Sequence, residues 1–176
     1  MQFKNNAIVF SPSDLITFMD SKFASHMERS CVEDNSYRNL IDPEDPLLKN
    51  LQNKGFQHED TFLNSLMNED KTVFIIEGNN TKDKLNKTKK VMRQGVDIIS
   101  QAYLKFNDFE GVADFLIKVS GQSLLGDYHY EVWDTKLSKK MKPYFAIQLC
   151  SYAEMLENIQ GLKPEKVAVV LGDKKI

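Results

Sequence analysis

Cysteine is nearly missing from this chain: its 176 residues hold two, Cys31 and Cys150. Two cannot build a disulfide framework, nor a four-cysteine zinc or iron–sulfur site. Both are read as reduced thiols. Excess positive charge is missing too. Lys and Arg number 23 against 25 Asp and Glu, for a net charge of −2 and a pI near 5.9. A pure nucleic-acid binder would be strongly basic. Acidity does not exclude a nucleic-acid enzyme, because bound divalent metals and local lysine clusters also meet phosphate. No stretch approaches the roughly 18 apolar residues of a membrane span. "MQFKNNAIVF" lacks the apolar core and cleavage site of a signal peptide. A cytoplasmic protein with no membrane partner is therefore expected. Internal repeats and low-complexity segments are absent as well.

What is present is ordinary for one globular domain. Hydrophobic residues make up 41% and charged residues 27%, enough to bury a core over residues 1–176 but not two cores. Residues 1–70 read as a helical part. In 11–29, Ser11, Pro12 and Asp14 form a helix-start signature. Residues 30–46 read as a loop. One helix is expected up to Gly55 and another across "HEDTFLNSLMNED". Residues 71–176 read as an α/β core. It begins with a strand at 72–78 and a basic helix at 79–94 closed by Gly95. Strands follow at about 96–106, 110–119 and 127–137, joined by near-hairpins. A helix then starts at Pro143 and ends at Gly161, before a buried strand at 166–172. The expected fold class is α/β with a mixed central sheet in αβββαβ order and extra N-terminal helices. The chain ends three residues after the turn signal "GD", where a hairpin partner strand is expected, so it reads as part of a longer protein.

The chemistry concentrates in "YEVWDTKL", residues 130–137. Strand alternation puts Tyr130, Val132, Asp134 and Lys136 on one face, with Glu131, Trp133 and Thr135 on the other. The preceding strand, "GVADFLIKV", carries Asp114 in an apolar run, where aspartate is a poor strand former and costly to bury. If the strands pair as a meander, Asp114 faces Asp134. Two facing carboxylates repel unless a cation sits between them, and an oxygen-only site suits Mg²⁺ or Mn²⁺. The plain alternative is an edge-strand ion pair of Asp134 with Lys136, worth little. Val132 and Trp133 speak against full exposure of either face. Glu59 reads as solvated.

Asp114 followed by "DTK" at 134–136 resembles the PD-(D/E)XK nuclease superfamily, whose restriction-endonuclease-like core has the same αβββαβ order. "QLCSY" resembles the Q-x-x-x-Y motif of the RecB-like branch, through Gln148 and Tyr152. "GFQHE" resembles that branch's first motif, through His58. The wider wording over 11–172 is similar to the nuclease domain at the front of bacterial RecB-family nuclease–helicase fusions. The superfamily's proline is Ala113 here. Relatives with an iron–sulfur cluster place its first cysteine where this chain has Ser21, so no cluster is expected.

The resemblance implies metal-dependent hydrolysis of DNA phosphodiesters, as an exonuclease or endonuclease of DNA repair. Asp114 and Asp134 would hold Mg²⁺ or Mn²⁺, with His58 and the Thr135 carbonyl completing the shell. Lys136 would position the attacking water, and Gln148 and Tyr152 would orient the DNA backbone or hold Lys136. Lys139, Lys140 and Lys142 would touch phosphates. A helicase domain in the same longer chain is the implied partner. The rival is a silent nuclease-like module that docks DNA or protein, and the completeness of the residue set argues against it.

Overall fold

The computed structural model describes residues 1–67 and 69–172. Asn68, and Asp173 of the turn signal "GD", lie outside them. A short hairpin opens the chain, β1 (Gln2–Lys4) and β2 (Ala7–Val9). It extends β5 through Phe10, whose N–H donates to the Asp108 carbonyl (2.7 Å) and whose carbonyl accepts from Glu110 N–H (2.9 Å). Lys4 pairs with Glu110 across the same junction. This hairpin was not expected, because two three-residue strands leave almost no period-2 pattern to read.

Helix α1 (Pro12–Asp20) starts as its signature predicts: the Ser11 N–H donates to Asp14 Oδ2 at 2.6 Å. The expected single helix over 11–29 is instead broken at Ser21. That residue closes α1 in extended conformation, and its hydroxyl caps α2 (Lys22–Glu33) by accepting from Ala24 N–H at 3.1 Å. The expected loop at 30–46 contains the end of α2 and a 3-10 helix, Asn35–Leu40. The two helices expected on either side of Gly55 are one, α3 (Pro46–Met67). Gly55 makes no turn there, since glycine in a helix interior weakens it without ending it.

The core follows the expected order: β3 (Val73–Ile75), α4 (Thr81–Arg93), β4 (Ile98–Phe106), β5 (Phe109–Ser123), β6 (Gly126–Lys136), α5 (Pro143–Gln160) and β7 (Val167–Leu171). The five-stranded sheet runs β3-β4-β5-β6-β7. Its outer pairs are parallel and its central pairs antiparallel. Parallel neighbours need a crossover, which α4 and α5 provide. Both pack on one face, where Val91, Met92, Leu149, Met155 and Leu156 meet Leu116, Tyr130 and Val132. On the other face α3 lays Phe62, Leu63 and Leu66 on Ile98, Phe115 and Trp133. The Phe62 ring stands edge-on to Phe115 and stacks on Trp133. The protein is thus a mixed α/β layer with helices on both faces. Among the described residues no helix is long and apolar enough to cross a membrane.

Candidate active site

The sheet forks at the carboxylates. β5 and β6 pair as far as Phe115↔Trp133. Beyond that point the start of β5 pairs with β4, while the end of β6 pairs with β7. Continuing the β5–β6 register sets Asp114 across from Asp134, at the point where the strands part. A ladder donor is freed at the fork, and Asp114 takes it: Thr135 N–H donates to Asp114 Oδ2 at 2.9 Å, and the Thr135 hydroxyl lies 3.2 Å from the same oxygen. Thr135 therefore holds Asp114 with two donors, a contact the sequence does not announce.

The face assignment of β6 holds. Tyr130 and Val132 are buried under α5, Trp133 packs under α3, and Asp134 is only 4% exposed. Lys136 stands over the Phe145 ring of α5, 5.6 Å from its centroid. Its ammonium lies 2.5 Å from Asp134 Oδ2. This buried oxygen thus has the lysine charge as its close partner. Burial, and then the Asp114 charge, push the Asp134 carboxyl well above the usual carboxylate range, with Lys136 opposing them. The reason is that low-dielectric surroundings and like charge both disfavour the ionised form.

Helix α5 is fixed to the sheet at its C-terminal end and near its middle. The Gln160 carboxamide accepts from Tyr130 N–H (2.9 Å) and donates to the Tyr130 carbonyl (3.1 Å). Gly161, at φ 68°, then closes the helix in the left-handed conformation glycine accepts readily. Two turns back, the Tyr152 hydroxyl donates to the Val112 carbonyl at 2.7 Å. It does so over Gly111, where a Cβ would stand 2.8 Å from the hydroxyl oxygen. Burial, and then the charges of Asp114 and Asp134, raise the Tyr152 pKa above its ordinary value. Gln148, one turn earlier, is half-buried.

Two further residues join the set. Glu59 of α3 is half-buried and accepts from the Gln101 carboxamide. Burial, followed by the Asp114 charge, raises its pKa to about 7, and Lys136 opposes the shift. Glu59 is thus not the solvated residue the sequence suggests. Gln101 sits in β4 opposite Asp114, between the pairs Ser100↔Phe115 and Ala102↔Ala113, at φ 57°. A left-handed residue inside a strand is a strained position of the kind that gathers at functional sites. Nothing in the sequence marks it, since glutamine is not a left-handed former. His58 is placed differently: its Nε2 lies 3.4 Å from the Val170 carbonyl of β7, beside Thr135 in the sheet. The structure thus gathers Asp114, Asp134, Thr135, Lys136 and Tyr152, adds Glu59 and Gln101, and sets His58 against the neighbouring backbone.

The donor set fits a hard divalent cation. Among the described residues, no three His, Cys, Asp or Glu side chains stand close enough to enclose an ion by themselves. Mg²⁺ is usually held by one or two carboxylates and several waters, and the fork offers two carboxylates, Asp114 and Asp134. Lys139, Lys140 and Lys142 follow directly and are exposed. Comparison of the chain with protein-family models, with curated proteins and with solved structures finds no match.

Proposed function

We propose that this chain is a metal-dependent deoxyribonuclease of the RecB-like branch of the PD-(D/E)XK superfamily, with a restriction-endonuclease-like core. The observation that carries this reading is the fork. Two carboxylates converge there, Asp134 buried and Asp114 half-buried, and the Lys136 ammonium stands beside them. An edge-strand ion pair would not be buried in this way, nor would it face a second carboxylate.

Asp114 and Asp134 would hold Mg²⁺ or Mn²⁺ with the Thr135 carbonyl, and Glu59 or His58 would reach the ion through its bound waters. A bound ion supplies Lewis acidity toward the phosphate and lowers the pKa of water in its shell. Thr135 aims Asp114 by donating to it from its N–H and its hydroxyl. Lys136 orients the attacking water and offsets the charge that grows on the phosphate oxygens. Tyr152 is buried and spends its hydroxyl on the Val112 carbonyl, so it braces α5 instead of touching DNA, and half-buried Gln148 is left as the α5 residue to orient the DNA backbone. Lys139, Lys140 and Lys142 supply phosphate contacts. DNA is the substrate class, and a helicase region is the natural partner of such a domain.

The test is cleavage of end-labelled single- and double-stranded DNA with Mg²⁺ or Mn²⁺. Metal-dependent products that vanish with EDTA and in Asp134→Ala support the reading. Products that persist in Asp134→Ala, or no products with any metal or strand form, refute it and favour a docking module.

A further inference from the structure

The first helices leave a large apolar groove uncovered. It runs beside α2 and the start of α3, is floored by the 3-10 helix, and encloses about 1170 Å³. Phe23, Met27, Tyr37, Leu40, Ile41 and Leu48 line it. Phe23 is 73% exposed, Leu40 67%, Ile41 62% and Leu48 56%. Single exposed apolar residues are common, but a contiguous set of this size marks an interaction surface.

The charge around the groove selects the occupant. Glu28, Asp42, Glu44 and Asp45 line it; among the described residues no Lys or Arg does, and the Met1 amino group in the lining is paired with Asp14. Among the described residues, only Glu44 of these four has a lysine paired with it, Lys49 at 3.7 Å. We infer that the groove docks a cationic amphipathic helix of a partner protein, its apolar stripe on Phe23, Ile41 and Leu48 and its Lys or Arg residues along the acidic rim. Phe23 and Met27 lie one turn apart on α2 and present one continuous apolar wall to the groove. A second copy is the poorer occupant. Its basic helix α4 has Val91 and Met92 buried against its own sheet and turns only polar residues outward.

The test is selection from a displayed library of random 18-residue peptides on the full chain, with counter-selection on Leu48→Glu. Survivors should carry a helical apolar stripe flanked by Lys or Arg. By fluorescence anisotropy they should bind at least tenfold more weakly to Leu48→Glu and to the Asp42→Lys, Asp45→Lys double variant. Both variants change exposed residues, and a circular dichroism melt like that of the wild type establishes their folding; Ile41→Glu replaces Leu48→Glu if that variant melts early. Neutral or acidic survivors, binding indifferent to these changes, or no survivors would overturn the inference. So would a dimer in sedimentation velocity that Leu48→Glu dissociates, since a second copy would then fill the groove.

Discussion

Burial of Asp134 opposite Asp114 raises its pKa, and Glu59 is raised to about 7 in the same field. The folded metal-free chain therefore keeps protons that the unfolded chain has lost above the ordinary carboxylate pKa of about 4. More protons on the folded side means that stability falls as pH rises from about 4 through about 7. Asp134→Asn removes the charge that resists burial. Its metal-free melting temperature at pH 8 should exceed that of the wild type, and its decline between pH 5 and pH 8 should be shallower. A lower melting point at pH 8 would contradict this account of Asp134. Gly111→Ala should be destabilising by about 1–3 kcal/mol, as overpacked positions are, because its Cβ collides with the Tyr152 hydroxyl; chemical denaturation measures it. The pairing of Asp114 with Asp134 was legible because strand alternation and a short hairpin together fix which side chains face. Glu59 and Gln101 were not. The first reaches the site from a helix on the opposite layer, and the second enters through a backbone conformation its residue type rarely adopts.

At the scale of elements, the order from α4 to β7 could be read from β-branched runs, the helix-closing glycines and Pro143. The errors lie in the first third, where local signals compete. Gly55 looks like a helix end, yet α3 continues through it, and a Cβ added there would meet nothing within 4 Å. Gly55→Ala should therefore stabilise the protein by up to about 1 kcal/mol, raising the melting temperature by about 2–4 °C. A drop would show that α3 does break there. The continuity of α3 matters for function. Its Phe62 and Leu66 grip the sheet, and the same helix, one turn before Phe62, delivers His58 and Glu59 to the end where the sheet forks. Phe62→Ala should cost about 3 kcal/mol in urea unfolding, near the low end for a core phenylalanine because the ring is only half-buried.

For the whole molecule, divalent-ion binding and stability are linked through the fork. An ion that binds the folded chain and not the unfolded one stabilises it by mass action. Binding needs ionised carboxylates, so it competes with their protonation. Added Mn²⁺ should raise the melting temperature more at pH 8 than at pH 5, the reverse of the trend in metal-free protein. The groove at the other end of the chain lies outside this linkage and should not alter it. The most direct test of the central claim is a calorimetric titration of Mn²⁺ into the purified chain at pH 8, alongside Asp114→Asn and Asp134→Asn. The account predicts saturable binding of one or two ions to the wild type and loss of that binding in both variants, with their folds intact by circular dichroism. Binding that survives both substitutions, or no binding to the wild type, would contradict it.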